Sequence, residues 1–191
     1  PDEKELVRRF KKVMARPDQS ELITGLAQIT GGTAFAVFFG CDLQDAVVAL
    51  IVCLMIVLVG RWLSRREGNP MIYNLILAFL SEVVIVTAVR SGLGHHPDRI
   101  MIGIVMLLVS ALGAINGMRD VMQRNFISGS LEVMNSMLGA FGIAFGIALA
   151  MMLMGNISAE GFDVNNNTVI QLISCTIGCT GYASWFKIRG K

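Results

Sequence analysis

Apolar residues along this chain gather into runs about as long as a bilayer is thick. Six stand out, at 22–40, 43–60, 70–89, 100–118, 131–155 and 169–186, the last being the weakest. A helix needs about 20 largely apolar residues to cross the hydrocarbon core, so each run predicts a transmembrane helix. The fold class expected is all-α and integral to the membrane, a bundle of five transmembrane helices plus a sixth. The mean hydropathy of +0.63 agrees.

Charge orients the bundle. Of the 16 Lys and Arg residues, 14 fall before the first run, after the second and fourth, or after the sixth. Only Arg90 and Arg99 fall on the other side. Basic residues are retained on the cytoplasmic side, so both termini are expected to be cytoplasmic. The net charge of +2 is then a mark of membrane edges, where anionic lipid attracts it, and nucleic acid is not an expected partner. No secretory signal peptide is visible, because the first run is too long and lacks a cleavage-type ending.

The chain starts without Met, at Pro1-Asp2-Glu3, and stops soon after an isolated sixth run, which reads as truncation. Before the first run, Leu6, Phe10, Val13 and Met14 share one helical face opposite Arg and Lys. That pattern suits an interfacial helix or the tail of a cytoplasmic domain.

Two of the runs are rich in small residues. The first has Gly25, Ala27, Gly31, Gly32, Thr33, Ala34 and Ala36, and the fifth has Gly139, Gly142, Gly146 and Ala150. Close helix packing is the default reading, and the lining of a cavity is the alternative. The second run is plain Val, Leu, Ile and Met and carries no chemistry.

Polar residues inside the runs are the functional candidates. Glu82 lies near the middle of the third, with Asn74 and Ser81 nearby. An ionisable residue there is costly and usually faces a partner or a water-filled path. Burial disfavours its charged form, so Glu82 is a candidate for proton coupling, or else a protonated side chain bonded to a helix neighbour. The densest cluster is Asn116, Arg119 and Asp120 at the end of the fourth run, with Ser128 and Asn135 entering the fifth. It reads either as a capped turn, with Ser128 the cap and Glu132 complementing the helix, or as a solute site in which Arg119 meets a carboxylate.

Other signals are weak. His95-His96 has only Asp98 nearby and makes a poor metal site. Cys41, Cys53, Cys175 and Cys179 match no strong metal or redox spacing. Asn156-Ile-Ser158 and Asn166-Asn167-Thr168 fit the glycosylation pattern, which is frequent by chance. No phosphate-binding loop, dinucleotide turn or nucleophile elbow occurs, so no cofactor, metal or ATP-driven step is expected. An enzyme is not expected either, since Ser128 and the histidines are predicted on opposite sides of the membrane.

Three stretches resemble the membrane part of the bacterial threonine/serine exporter family. The first is Phe38-Phe39-Gly40-Cys41-Asp42-Leu43-Gln44-Asp45-Ala46. The second, more specific, runs from Pro97-Asp98-Arg99-Ile100 through Asn116, Arg119-Asp120 and Ser128-Gly129. The third runs from Ile170-Gln171-Leu172 through Gly181, Ala183 and Phe186, and is similar to the first helix of the family's second membrane half. One departure is that Glu132 and Asn135 stand where the family pattern has Arg and then Glu.

The resemblance implies a proton-motive-force-driven exporter of small carboxylate metabolites, threonine and serine foremost, in the bacterial inner membrane. The polar cluster supplies the candidate substrate contacts, Asn116, Arg119, Asp120, Ser128 and Asn135, with Asp120 also a coupling or gating candidate beside Glu82, and the chain is expected to divide as follows. Residues 1–21 are a basic cytoplasmic or interfacial helix, 22–155 a five-span transporter domain, 156–168 an extracytoplasmic loop, and 169–191 the first helix of a second membrane half. That half belongs to the same or a separate chain, and membrane lipid and further copies of the chain are the other expected partners. Two other functions remain open: a half-subunit exporting succinate or another C4-dicarboxylate, and a non-transporting subunit that scaffolds a partner half.

Overall fold

The structure, a computed structural model, describes residues 21–66, 68–109, 111–155 and 168–185. Helices there are α1 (Glu21–Phe38), α2 (Leu43–Ser64), α3 (Pro70–Arg90), α4 (Pro97–Leu108), α5 (Ala111–Met122), α6 (Phe126–Met154) and α7 (Thr168–Trp185). No strand occurs among the described residues. The amphipathic stretch at 3–15, most of the 156–168 loop with its glycosylation-type tripeptides, and the basic residues after 186 lie outside them.

By length and composition α2, α3 and α6 can each cross a membrane, and α4 with α5 supplies a fourth span if the bent pair counts as one. The five-plus-one count is therefore not what these helices return: α1 does not meet that measure, and the apolar part of α7, Val169–Ala183, is short. Exposed apolar side chains along α6, such as Phe141, Phe145 and Leu153, suit a lipid or protein surround. At the end of α2, exposed Trp62 stacks under the Arg66 guanidinium at 4.8 Å, an arrangement typical of a membrane edge.

The expected fourth span, 100–118, is two helices rather than one. α4 and the Gly113–Met122 part of α5 differ in direction by 47°. Val109 takes φ −70° and ψ 119°, an extended conformation that stops the i→i−4 bonding of a helix. At the next boundary α6 starts at Phe126, five residues before the apolar run at 131, with Asn125 at its N-cap position. Ser128 is thus inside the first turn of α6 and is not its cap.

The core forms around α2. Val48, Val52 and Ile56 recur every four residues, with Ala49 and Cys53 beside them, and all five are buried. Leu77, Ala78 and Ile85 of α3 and Ile100, Ile104 and Leu107 of α4 close on this face. The second run, plain in sequence, is the centre of the packing. α3 begins cleanly because Pro70 occupies its first turn and the Asn69 side chain accepts from the Met71 N–H at 3.0 Å.

Lipid offers little hydrophobic drive between helices, so close approach at small residues does the joining. Gly142 and Gly146 of α6 lie against the α3 backbone; a Cβ at Gly146 would stand 3.0 Å from the Phe79 nitrogen. Gly31 of α1 meets Gly181 of α7, beside an edge-to-face pair of Phe35 and Tyr182 rings 5.2 Å apart. The packing reading of the glycine ridge in the fifth run fits these contacts.

Candidate functional site

Two cavities of opposite character lie toward opposite ends of α3. The first, about 420 Å³, is lined by Glu82 and Val86 of α3, by α4 from Pro97 to Met106, and by Met151 and Gly155 at the end of α6. Its walls are hydrocarbon and thioether, and Glu82 and Asp98 are its titratable residues. Glu82 is only 3% exposed, and its Oε2 has no hydrogen-bond partner among the described residues. Buried polar atoms are normally bonded. An orphaned carboxyl oxygen facing a cavity can therefore receive a proton or a cation. Ser81, the neighbour noted in the sequence, is satisfied within its own helix by the Leu77 carbonyl at 2.7 Å. Asn74 is buried where α3 meets Gly139 of α6.

The second cavity, about 350 Å³, lies between α1, the last turns of α2 and the first turn of α3. Among the described residues Gln28, Arg61, Ser64, Arg65 and Tyr73 supply its polar lining. The charge asymmetry marks Arg61 and Arg65, after the second run, only as cytoplasmic-edge residues, and nothing in the sequence joins them to Gln28 or Tyr73.

At the Glu82 end, loop and helix termini are tied together. Asp45, fully buried in the first turn of α2, accepts from the His95 N–H at 2.7 Å and faces His96 Nδ1 at 3.0 Å. Arg99 donates to the Gly40 carbonyl at 2.6 Å, in a turn that Gly40 makes with φ 91°, a conformation that suits glycine. Arg90 donates to the Met154 carbonyl at the end of α6. Asp42, Asp45 and His96 each place a ligand-type atom within 4.8 Å of the others, which is a possible cation donor set. Both Asp45 oxygens, however, already accept or face donors from the histidines. Burial, and then the Asp45 charge, push the Cys41 thiol up to about 12, so this neighbour is a neutral thiol at ordinary pH.

The five expected substrate contacts are on a different pair of helices. Asn116, Arg119 and Asp120 are on α5, and Ser128 and Asn135 are on α6. The helices meet glycine to glycine, a Cβ at Gly117 falling 2.8 Å from the Gly129 carbonyl. Asn116, Arg119, Ser128 and Asn135 are exposed and Asp120 is half-buried. None of the five lines the Glu82 cavity. The turn between the helices is made by backbone: Asp120 O accepts from the Gln123 and Asn125 N–H groups, and Arg124 takes φ 68°.

Residues 2–154 match the family model ThrE, described as "Putative threonine/serine exporter". The chain belongs to this threonine/serine exporter family. Comparison with curated proteins and with solved structures gave no match. The family is one of transporters and not an enzyme class. Together with the apolar helices, membership identifies a membrane protein of the transporter kind. The stretch 170–186, whose sequence is similar to the start of a second membrane half, lies beyond the matched residues.

Proposed function

We propose that this chain is part of a proton-motive-force-driven exporter of threonine and serine in the bacterial inner membrane, with Glu82 as the proton-coupling residue. The observation that carries this reading is the orphaned Glu82 Oε2, buried in α3 and bordering a cavity that reaches the last turn of α4. Discontinuous helices beside buried polar groups are a recurrent device of secondary transporters. A proton arriving through the cavity neutralises Glu82 and relieves the cost of a buried charge. The bend at Val109 is the joint at which α4 and α5 move relative to each other. Apolar walls suit a proton and offer a hydroxy amino acid nothing to bond.

In this proposal Asn116, Arg119, Asp120, Ser128 and Asn135 meet the solute when a second membrane half covers α5 and α6, and helix α7 begins such a half. The termini are cytoplasmic, as the charge asymmetry predicts. A scaffold reading draws on one observation, the glycine-to-glycine contact of α5 with α6, which needs no solute to explain it.

The test is flux of labelled threonine, serine and succinate in proteoliposomes under an imposed pH gradient, with this chain alone and joined to a second half. Gradient-driven threonine flux that loses its proton dependence in Glu82→Gln supports the proposal. Gradient-driven flux of succinate alone would make this a dicarboxylate half-subunit, and stable assembly without any flux would leave the scaffold. Unchanged apparent affinity in Arg119→Gln would remove the α5–α6 cluster from the substrate path.

A further inference from the structure

We infer that the Glu82 cavity binds a small hydrophobic amine in its ammonium form, a ligand class apart from the hydroxy amino acids of the transport reading. The site uses the carboxylate to which that reading gives the proton, and amine binding there stands whether or not the chain transports.

The carboxylate comes first. Glu82 borders the cavity at 3% exposure, and its Oε2 accepts no hydrogen bond. A buried charge is costly unless it is paired and hydrogen-bonded. A proton relieves that cost, and so does an ammonium group, which carries a charge and N–H donors together. A calcium or magnesium ion would ask for about six oxygen ligands, and the described side chains of the lining offer those of Glu82 and Asp98 alone.

The walls decide what the ammonium is attached to. Val86, Met101, Ile102, Val105, Met106 and Met151 line the space with hydrocarbon and three thioethers. Thioether side chains are polarizable and re-pack around ligands of varied shape. At about 420 Å³ the cavity is within the range of small-molecule sites, which join mostly apolar walls to a few placed polar groups. Low-dielectric walls around two carboxylates also focus their field on an entering cation.

Charge excludes the zwitterion. An amino acid would bring its own carboxylate beside Glu82 and Asp98, where like charges in an apolar surround repel. Arg90, with a guanidinium nitrogen 3.6 Å from a Cβ built on Gly155, donates to the Met154 carbonyl. Arg99, next to Asp98, donates to the Gly40 carbonyl. Neither arginine is among the described residues that line the cavity.

An ammonium beside hydrocarbon has two sources, a soluble amine and the headgroup of phosphatidylethanolamine. Glu82 is eight residues before the end of α3 at Arg90, which is about 12 Å along a helix. The lipid's phosphate holds its ammonium at the membrane surface, and Asp98 would repel that phosphate. The site is therefore assigned to the soluble amine.

The test is binding of labelled 2-phenylethylamine to the full chain in phosphatidylcholine nanodiscs, by scintillation proximity, with the signal of empty nanodiscs subtracted. Saturable binding is expected, with displacement by benzylamine. 2-Phenylethanol, of similar shape but uncharged, and the zwitterion phenylalanine should each need about tenfold more or greater, since a site built around a charged donor rejects the analogue without it. This comparison uses the unaltered protein, so it does not depend on any variant folding. Glu82→Gln is expected to weaken binding about tenfold or more, and Glu82→Asp, which keeps the charge, to weaken it less.

Equal displacement by 2-phenylethanol or phenylalanine, or unchanged binding in a folded Glu82→Gln, overturns the assignment. Loss of amine binding when phosphatidylethanolamine is added makes this a lipid-headgroup site and overturns it as well. Proton-driven threonine flux without saturable amine binding sinks this inference alone. Amine binding of the expected pattern with no flux of any solute sinks the transport reading alone.

Discussion

Asp45 and His96 are 51 residues apart in sequence, yet His96 Nδ1 stands 3.0 Å from Asp45 Oδ2. The same carboxylate holds the His95 N–H through its other oxygen at 2.7 Å. One buried side chain at the start of α2 therefore clamps the loop that leads into α4, whose first residues, Pro97 and Asp98, line the Glu82 cavity. Hydrogen bonds to a charged group contribute about 1.5–3 kcal/mol each. Asp45→Asn is expected to lower stability by about that amount and to drop the thermal midpoint in detergent. His96→Ala should cost less, because the backbone donors to Asp45 remain. An unchanged midpoint in Asp45→Asn would show that the clamp holds nothing.

That clamp was not legible in the sequence, and the reason is physical. Hydrophobic period reports which face of a helix is covered but says nothing about which loop meets which helix end, so His95-His96 had only Asp98 for company. The polar cavity was hidden for the same cause: Arg61 and Arg65 read as topology markers until the fold placed Gln28 and Tyr73 beside them. Long uninterrupted apolar runs made α2, α3 and α6 plain, and Glu82 was conspicuous because a carboxylate in such a run has no cheap explanation. The break at Val109 left no trace, since no proline or glycine occupies it and the single Ser110 beside it does not interrupt the apolar run.

The α5–α6 contact gives a prediction with an internal control. A Cβ at Gly117 would lie 2.8 Å from the Gly129 carbonyl and 2.9 Å from Val133 Cγ2. Overpacking of this kind costs about 1–3 kcal/mol, so Gly117→Val should lower the thermal midpoint and loosen the helix pair. At Gly68 a Cβ meets nothing within 4 Å, and Gly68→Ala should be neutral. If both variants melt alike, α5 is not held to α6 through this glycine pair.

For Glu82 the expected result separates coupling from structure. Asp98, from α4, is the other titratable residue lining the cavity, and the α6 wall of Met151 and Gly155 contributes none. Glu82→Gln keeps shape and one acceptor but cannot exchange a proton. It should therefore leave stability within about 1 kcal/mol of wild type, since an unpartnered carboxyl oxygen is exchanged for an unpartnered amide group of the same size. Threonine flux should meanwhile stop responding to the pH gradient. Asp98→Asn should preserve the response, since Asp98 is less buried than Glu82. A variant at Glu82 that destabilises strongly and still couples would reverse these roles.

Cys41 reports on the clamp chemically. Its thiol is pushed from an ordinary 9.0 to about 12, mainly by burial and next by the Asp45 carboxylate, with Arg99 pulling the other way. The thiolate is the reactive form. As pH rises from 8 the folded protein keeps Cys41 as a thiol until the pH nears 12, whereas an unfolded chain ionises it near 9. Three units correspond to a roughly 1000-fold smaller thiolate fraction at pH 8. Maleimide at pH 8 should leave Cys41 unmodified in the folded protein and modify it after denaturation, read by mass spectrometry of the Cys41 peptide. Asp45→Asn removes the charge that helps suppress ionisation and loosens the loop that buries the thiol. Both effects act in the same direction, so labelling of Cys41 should become measurable in that variant at unchanged pH. Rapid labelling already in the wild-type protein would show that the turn at Gly40 is open, and the clamp would then have to be assigned to another state of the transporter.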